Sequence, residues 1–319
     1  MGELLPTLEE IHAARERIAG TAVRTPLVRL GIAGTAADIY LKLENLQPIG
    51  SFKLRGATNV IARMTTAQLG RGVLTASAGN MAQGVAWRAR ELGIPCTVIA
   101  PDTAPATKTQ AVERLGGRVI KVPFAEWWQT FERRAFPGIE ATFIHAFDDP
   151  DVMAGNGTIA LEILEDLPDA NAIVIPWGGG GLACGIASGA RALKPGCRIY
   201  TAEAATAAPF AASFAAGFPQ TIDQRPSFID GIGSRTVFAG MFARARRVID
   251  GALVAAVDEV AAAVRLLAER NRVIAEGAGA CALAGALTGG AGSGKIVCIL
   301  SGGNIDLDKL VAILGGASP

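Results

Sequence analysis

The feature that most constrains the fold is an alternation of short apolar segments with alanine-rich segments of helical periodicity. The short segments predict strands, and they are Ile39–Leu43, Gly72–Thr75, Cys96–Ala100, Arg118–Val122, Thr142–His145, Ala172–Pro176, Arg198–Ala202 and Lys295–Leu300. Apolar residues recur at helical spacing in Met81–Leu92, Thr107–Leu115 and Val257–Glu269. Strands that are apolar throughout must be covered on both faces, which is typical of parallel sheets flanked by helices. The sequence therefore predicts an α/β protein.

The composition supports a large buried core and argues against a nucleic-acid partner. The chain has 319 residues, of which 50% are hydrophobic and 18% are charged, enough for one large domain or two of moderate size. Thirty basic and 29 acidic residues leave a net charge of +1, and no basic run occurs. Because nucleic-acid binding depends on a concentrated basic surface, we expect no such partner.

The cysteines and the charge-free stretches indicate a soluble, cytoplasmic protein. The five cysteines are scattered without a CxxC pair, which favours buried thiols in a reducing compartment over disulfides or a zinc site. Three stretches lack charge (172–190, 204–222 and 277–294), but glycine or proline interrupts each of them. A membrane helix needs roughly 20 mostly apolar residues, and the N-terminus lacks the apolar core of a signal peptide. We expect no membrane partner.

The order of the predicted elements suggests two α/β units. A compact series of strands and helices runs from about residue 72 to 146 and ends in the sequence FDDPD, and a second series begins at Ala172. Ligands of such folds bind at the carboxyl ends of the strands. The loops that follow the strands are therefore the places to look for a site.

The segment LENLQPIGSFKLRGA, residues 43–57, contains a candidate nucleophilic lysine. A turn at 48–50 and a helix N-cap at Ser51 predict that a helix begins around Phe52 or Lys53. The positive end of the helix dipole disfavours the ammonium form of a lysine in the first turn, as a nucleophilic lysine requires. The alternative is an ordinary solvated lysine, but the apolar neighbours Phe52 and Leu54 are an unusual setting for one.

Four consecutive glycines form a candidate phosphate site. They are residues 178–181, between the predicted strand Ala172–Pro176 and a helix from about Ala183. Glycines at this position let several backbone N–H groups converge on an anion at a helix N-terminus. The sequence matches neither a P-loop nor a dinucleotide fingerprint. A tight turn is the alternative, but it rarely requires four glycines.

Two further loops are weaker candidates when each is taken alone. Residues 75–84, TASAGNMAQG, follow a strand and precede a helix, so their N–H groups could bind a carboxylate or simply start a helix. Residues 301–304, SGGN, place the hydroxyl of Ser301 at the end of a strand, where it could meet a flat ligand or form a turn. Together with the lysine and the glycines, these loops supply the contacts that pyridoxal 5′-phosphate and an amino acid require.

The sequence resembles the fold-type II pyridoxal-phosphate enzymes, and within them the threonine/serine dehydratase and serine racemase branch. The resemblance covers nearly the whole chain in order. It is carried by TPL at 25–27, LENLQPIGSFKLRGA, SAGNMAQGVA at 77–86, FDDPDVMAGNGTIALEI from 147, PWGGGGL, DGIG at 230–233, EGAGA at 276–280 and SGGN.

The resemblance implies a fold, an activity and a set of site residues. Residues 1–46 and 149–319 would form a large cofactor-binding domain, and 47–148 a smaller, mobile substrate-binding domain. Lys53 would carry the cofactor as a Schiff base and act as the catalytic base. The implied cofactor-binding residues are Phe52, Lys53, Asn80, Gly178, Gly179, Gly180, Gly181, Leu182, Gly231, Glu276 and Ser301, and the implied substrate-binding residues are Ser77, Ala78, Gly79, Asn80 and Met81. The expected reaction is loss of water from a 3-hydroxy amino acid to give a 2-oxo acid and ammonia, by a homodimer or homotetramer.

Three departures from the family pattern narrow these expectations. Racemases of this branch have a proton-exchanging serine where this chain has Ala78, so elimination is favoured over racemisation. Most relatives have histidine at Met81, which indicates either a substrate with a bulkier or less polar β-substituent than serine or threonine, or a packing change. Pro209 replaces a second carboxylate that accompanies the equivalent of Glu203 in metal-binding relatives, so no metal site is expected and Glu203 is interpreted as structural. His145 is likewise interpreted as structural.

Two other functions stay open at this point. One is β-replacement, or elimination from another 3-substituted amino acid, on the same fold. The other is a non-catalytic amino-acid-binding protein, against which the intact Lys53 argues. The identity of the amino-acid substrate is not fixed by these motifs.

Overall fold

The computed structural model describes residues 5–32, 34 and 36–319. The α-helices of this part of the chain are α1 Leu8–Ile18, α2 Lys53–Ala62, α3 Thr66–Arg71, α4 Asn80–Leu92, α5 Ala106–Arg114, α6 Phe124–Arg133, α7 Pro150–Asp166, α8 Gly181–Leu193, α9 Pro209–Ala216, α10 Ala239–Ala245, α11 Val257–Leu266, α12 Gly277–Leu287 and α13 Leu307–Leu314. The strands are β1 Leu27–Arg29, β2 Ala37–Lys42, β3 Val73–Ala76, β4 Cys96–Pro101, β5 Arg118–Val122, β6 Thr142–Phe143, β7 Ala172–Pro176, β8 Arg198–Ala204, β9 Gly251–Ala255 and β10 Gly294–Ile299.

The strands form two sheets flanked by helices, as the sequence predicts. One sheet has the order β1-β2-β10-β7-β8-β9 and is parallel except for β1, and the other has the order β5-β4-β3-β6 and is parallel throughout. In the six-stranded sheet the central strand β10 pairs Ile296 with Ile39 of β2 on one side and Val297 with Ile173 of β7 on the other. The chain enters the four-stranded sheet after β2 and returns to the larger sheet at β7.

All eight predicted strands are present, with ends that differ by a few residues. The predicted strand Thr142–His145 is shorter, because it pairs with β3 only through residues 142 and 143. Two strands were not predicted. The strand β1 has only three residues, and β9 is a partly exposed edge strand that begins at a glycine, so neither carries a strong apolar pattern.

Two of the three charge-free stretches consist largely of buried elements of the fold. Residues 172–190 form β7, the glycine loop and α8, whereas most of 277–294 forms α12. Within the described residues, no helix is both long and apolar enough to cross a lipid bilayer. The five cysteines are free and buried, as the sequence predicts.

Helices α2, α7 and α8 pack at backbone distance, because glycines lie where they meet. A Cβ atom added at Gly155 of α7 would lie 2.6 Å from the carbonyl oxygen of Arg55 in α2. One added at Gly185 of α8 would lie 2.2 Å from the carbonyl oxygen of Met153. The glycines therefore let α7 hold α2, and the lysine at its start, close to the larger sheet.

A buried cluster of four charged side chains joins the same elements. The Arg55 guanidinium contacts Glu44 at 2.8 Å and Glu162 at 2.6 Å, and the Lys42 amine contacts Glu162 at 2.6 Å. Each of the four side chains is at most 6% exposed. Burial alone would raise the pKa of Glu44, but the neighbouring Arg55 outweighs it and holds that pKa below its usual range. The cluster, which the sequence analysis did not identify, ties β2, α2 and α7 together.

We expect Arg55→Ala to lower the free energy of unfolding by about 3–5 kcal/mol, because it leaves two buried carboxylates without their main partner. Denaturant unfolding followed by circular dichroism measures this change. The control is Arg29→Ala, which removes an exposed ion pair with Asp38 and should change stability by less than about 1 kcal/mol. Equal effects of the two substitutions would show that the buried cluster does not stabilise the fold.

Candidate active site

A cavity of about 770 Å³ lies at the carboxyl ends of strands from both sheets. The segments after β3, β4, β7 and β10 line it, together with the beginnings of α2 and α8. All the site residues expected from the sequence line this one cavity: Phe52, Lys53, Ser77, Ala78, Gly79, Asn80, Met81, Gly178, Gly179, Gly180, Gly181, Leu182, Gly231, Glu276 and Ser301. The structure therefore brings together segments that are far apart in the chain.

Helix α2 begins at Lys53, within the range predicted, but its N-cap is Phe52 and the prediction of Ser51 was wrong. Ser51 is held in a bridge with Gly302, and its hydroxyl accepts a hydrogen bond from the Lys53 N–H at 3.4 Å. The carbonyl of Ser301 also accepts a hydrogen bond from the Phe52 N–H at 3.0 Å. These contacts fasten the start of α2 to the segment that follows β10.

The Lys53 amine is directed toward the segment that connects β6 to α7. Its Nζ donates a hydrogen bond to the carbonyl oxygen of Ala146 at 2.7 Å and lies 5.1 Å from the centre of the Phe52 ring. The side chain is partly exposed to the cavity, but the amine itself is deeply surrounded by protein. This burial lowers the pKa of Lys53 to about 8, although the negative charge of Glu276 opposes the shift. The neutral form of the amine is therefore more accessible than in a solvated lysine.

A chain of side-chain hydrogen bonds crosses the cavity from one sheet to the other. Asn304 donates to the Asn80 side-chain oxygen at 2.8 Å and to the Ile49 carbonyl at 2.8 Å, and Asn80 donates to Glu276 at 2.8 Å. Burial raises the pKa of Glu276 to about 7, against the effect of the Asn80 hydrogen bond. Gly302 makes room for this carboxyl, since a Cβ atom there would lie 2.5 Å from its oxygen. Asn304 belongs to the SGGN motif, but the sequence analysis does not predict it as a site residue.

The glycine loop has a conformation that other residues would not tolerate. Gly180 has a φ of +91°, in the left-handed region, and forms the N-cap of α8. A Cβ atom at Gly179 would lie 2.0 Å from the Phe147 ring, and one at Gly181 would lie 2.7 Å from the Phe147 carbonyl oxygen. The first N–H groups of a helix have no partner within the helix, so this loop is suited to a phosphate.

The loop after β3 leads directly into α4. The Ser77 hydroxyl accepts a hydrogen bond from the Gly79 N–H at 3.3 Å, and α4 begins at Asn80. The Met81 side chain is 2% exposed and packs in a cluster with Ala57 and Val85. This supports the packing interpretation of Met81, although the residue also borders the cavity.

The two residues interpreted as structural have structural contacts. The Nδ1 atom of His145 accepts hydrogen bonds from the N–H groups of Phe147 and Asp148, at 3.3 and 2.8 Å, and burial lowers the pKa of the imidazole to about 3. The Glu203 carboxylate accepts hydrogen bonds from the first N–H groups of α9, those of Phe210 and Ala211, at 3.0 and 2.7 Å. These contacts agree with a structural role for each residue.

One part of the cavity was not anticipated from the sequence. Its wall carries six aromatic residues, namely Phe124, Trp127, Trp128, Phe131, Phe147 and Phe238. The available signal was the run FAEWWQTF at 124–131, which has four aromatic residues in a chain that is 6% aromatic. We refer to these six residues as the aromatic wall.

The fold and the site define a class of enzyme. Two mostly parallel sheets meet at a cavity that contains an enclosed lysine amine, a glycine loop at a helix N-terminus and Ser301 at a strand end. These groups fit the aldehyde, phosphate and ring of pyridoxal 5′-phosphate, as in the fold-type II enzymes. Residues 18–302 match the model of the pyridoxal-phosphate dependent enzyme family, and the chain belongs to that family.

Individual relatives agree with this assignment. The L-threonine ammonia-lyase of Thermotoga maritima is 38% identical over 313 residues, which cover 97% of this chain and 78% of the relative. Maize serine racemase superposes with a TM-score of 0.88 at 31% identity, over 97% of this chain and 96% of that one. Processed threonine deaminase isoform 2 of Solanum lycopersicum superposes with a TM-score of 0.85 at 33% identity, over 99% and 98%.

We expect Gly179→Ala to weaken cofactor binding by roughly tenfold or more, because the added methyl group must displace the Phe147 ring or the loop itself. Titration of the apo-protein with pyridoxal 5′-phosphate, followed by absorbance, measures the affinity. The control is Gly196→Ala, at a position with no neighbour within 4 Å of the new methyl group. An unchanged affinity in Gly179→Ala would contradict the assignment of this loop to the phosphate.

Proposed function

We propose that the protein is a pyridoxal-phosphate-dependent ammonia-lyase that removes water from a 3-hydroxy amino acid and yields a 2-oxo acid and ammonia. The names of the relatives support this reaction, since both L-threonine ammonia-lyase and threonine deaminase are among them. The observation that carries the proposal is the enclosed amine of Lys53, which has a lowered pKa and opens onto the same cavity as the glycine loop.

In this proposal Lys53 has two roles. Its neutral amine would hold the cofactor covalently and, once the amino group of the substrate has displaced it, would accept the Cα proton of the substrate. When bound, the cofactor supplies an electron-withdrawing ring that acidifies this proton. The Ala146 carbonyl, which lies 2.7 Å from the amine, orients the lysine between these steps.

The remaining cavity residues hold the two ligands. The backbone N–H groups of 178–182 would hold the phosphate, and Ser301 would offer a neutral hydroxyl to the ring nitrogen. A neutral partner would suit prompt loss of the 3-hydroxyl group. Asn80 and Glu276 would border the ring, and residues 77–81 would bind the substrate carboxylate through the loop before α4.

Elimination is proposed over racemisation because of Ala78. Racemisation needs a second group that returns a proton to the opposite face of Cα. Ala78 lines the cavity but has a methyl side chain, which cannot exchange a proton. After Lys53 has removed the Cα proton, the residue at position 78 therefore cannot return a proton to the opposite face. The substrate loses its hydroxyl group instead.

We also propose that the two sheets belong to separate domains, 1–46 with 149–319 and the smaller, mobile 47–148, in a cytoplasmic homodimer or homotetramer. The continuous run of the four-stranded sheet from β3 to β6 supports the domain boundaries. The free, buried cysteines support a reducing compartment.

We expect Lys53→Ala to abolish the near-visible absorbance of bound cofactor and to reduce formation of 2-oxo acid by about 10³-fold or more. The assay uses purified holoenzyme with L-threonine and L-serine, and it measures 2-oxo acid and ammonia. The control is Lys295→Ala, a surface lysine paired with Asp169, which should retain both properties. Turnover in Lys53→Ala at the level of the control would rule out the proposed role.

The lowered pKa of Lys53 predicts the pH dependence of cofactor capture by the apo-protein. The neutral amine is the reactive form, so the rate should rise with pH through about 8, and not only near the ordinary lysine pKa of about 10.4. Glu276→Gln removes the charge that raises the lysine pKa, so the midpoint should move to lower pH. Rapid mixing with pyridoxal 5′-phosphate across a pH series measures both midpoints. A wild-type midpoint above pH 10 would contradict the enclosed amine.

A further inference from the structure

The aromatic wall forms a continuous apolar surface along the cavity. The ring centres of Phe147 and Phe238 are 5.4 Å apart, those of Phe238 and Trp128 are 5.8 Å apart, and those of Trp128 and Phe131 are 5.9 Å apart. Phe124 continues the surface, with its ring stacked 6.4 Å from that of Trp128. Such spacings are those of favourable aromatic contacts.

The wall begins beside the reactive amine and ends at the cavity opening. Phe147 directly follows Ala146, whose carbonyl accepts the hydrogen bond from Lys53, and its ring covers Gly179 of the glycine loop. At the other end Phe124 is 60% exposed. A substrate bound at Lys53 would therefore have an aromatic surface along its path outward.

Part of this surface is not explained by packing of the core. Trp127 packs against the buried side chains of the four-stranded sheet, Phe131 is itself buried, and Phe147 and Phe238 pack against the core of the larger sheet. By contrast, the ring contacts of Trp128 are with other members of the wall, and the residue is half-buried. Large aromatic surface left open in a cavity is costly, and an apolar ligand that covers it recovers that free energy.

The charges near the wall do not offer an equally strong alternative. The Lys108 amine forms an ion pair with Asp230 at 2.8 Å, and the Lys309 amine lies 3.5 Å from the same carboxylate. Arg235 lines the cavity but is exposed at the surface. A negatively charged substrate side chain would have to lie against the aromatic rings, where its desolvation is unfavourable.

We propose that the substrates are L-3-hydroxy amino acids that carry an aryl group, or a similarly large flat apolar group, on C3. This inference rests on the proposed function and specifies its substrate class. The methyl group of threonine and the hydrogen of serine would leave the wall uncovered. An aryl group on C3 lies next to the reacting carbon and can stack on Phe147, Phe238 and Trp128.

The proposed reaction balances without an oxidant or a reductant. The C2 proton and the C3 hydroxyl group leave as one water molecule, and the released enamine becomes its imine. One water molecule then adds at C2 and the nitrogen leaves as ammonia. The net products of L-threo-3-phenylserine are phenylpyruvate and ammonia.

The test compares kcat/KM of the holoenzyme for L-threo-3-phenylserine, L-threonine, L-serine and L-threo-3-hydroxyaspartate. We expect phenylserine to be preferred over threonine by roughly 10- to 100-fold. Trp128→Ala should lower kcat/KM for phenylserine by about tenfold and change that for threonine by less than about twofold, whereas Trp128→Phe should retain most of the preference. The control is Phe218→Ala, an exposed aromatic residue that does not line the cavity.

A second measurement does not depend on turnover. L-Phenylalanine lacks the leaving group, so it should compete with phenylserine and change the tryptophan fluorescence of the wild-type protein, whereas L-alanine should not. This readout also applies if Trp128→Ala fails to fold. Equal responses to the two amino acids would count against the inference.

The outcomes separate this inference from the proposed function. If threonine is preferred and Trp128→Ala leaves phenylserine turnover unchanged, the aryl preference is wrong and the ammonia-lyase stands. If hydroxyaspartate is preferred and Arg235→Ala removes that preference, the side-chain subsite binds an anion and the inference is overturned. If none of the four amino acids yields oxo acid, the proposed function is wrong, and binding of L-phenylalanine then decides the aryl preference alone.

Discussion

The interaction on which the site depends is the buried pairing of Arg55 with Glu44 and Glu162. Arg55 lies two residues after Lys53 on the same short helix, so fixing its guanidinium between two carboxylates fixes the start of α2. The cost of burying these charges is large, and it is compensated only while the geometry is kept. The reactive lysine is thus positioned by an ion cluster on the side of the helix away from the cavity.

The electrostatics of the cavity follow from the same enclosure. Lys53 and Glu276 are both withdrawn from water, and burial shifts both groups toward their neutral forms, the amine to a pKa of about 8 and the carboxyl to a pKa of about 7. Polar side chains compensate in part. Asn80, at the start of α4, bonds Glu276, which precedes α12, so one hydrogen bond spans elements that pack on different sheets. The same hydrogen bond therefore holds the Glu276 carboxyl in the cavity and links elements of the two sheets.

The part of the site that could be predicted from sequence is the part that is encoded locally. In three segments, turn-forming residues are followed directly by the start of a helix, and all three segments line the cavity. They are the segment around Lys53, the loop before Asn80 and Gly178–Gly181. The Arg55 cluster could not be found in this way, because Glu162 is 107 residues distant and only the fold brings the two together.

The same reason explains the other differences. The aromatic run of α6 is visible in the sequence, but the wall also needs Phe238, which lies in the other half of the chain and whose ring centre is 5.8 Å from that of Trp128. The N-cap of α2 was wrongly predicted at Ser51 for a similar reason, since a bridge to Gly302 holds Ser51 outside the helix. Short or edge strands such as β1 and β9 owe their conformation to their neighbours more than to their own residues.

The ion pair between Lys108 and Asp230 has a consequence for access to the cavity. Lys108 belongs to α5, beside the four-stranded sheet, whereas Asp230 lies in the segment between α9 and α10, and both side chains border the cavity and remain partly exposed to water. Dissolved ions screen charges that lie more than about 10 Å apart at 0.1 M salt, so an ion pair at 2.8 Å keeps part of its attraction. The pair therefore links the two sides of the cavity border, and it presents two opposite charges, not a single one, to a ligand that approaches there.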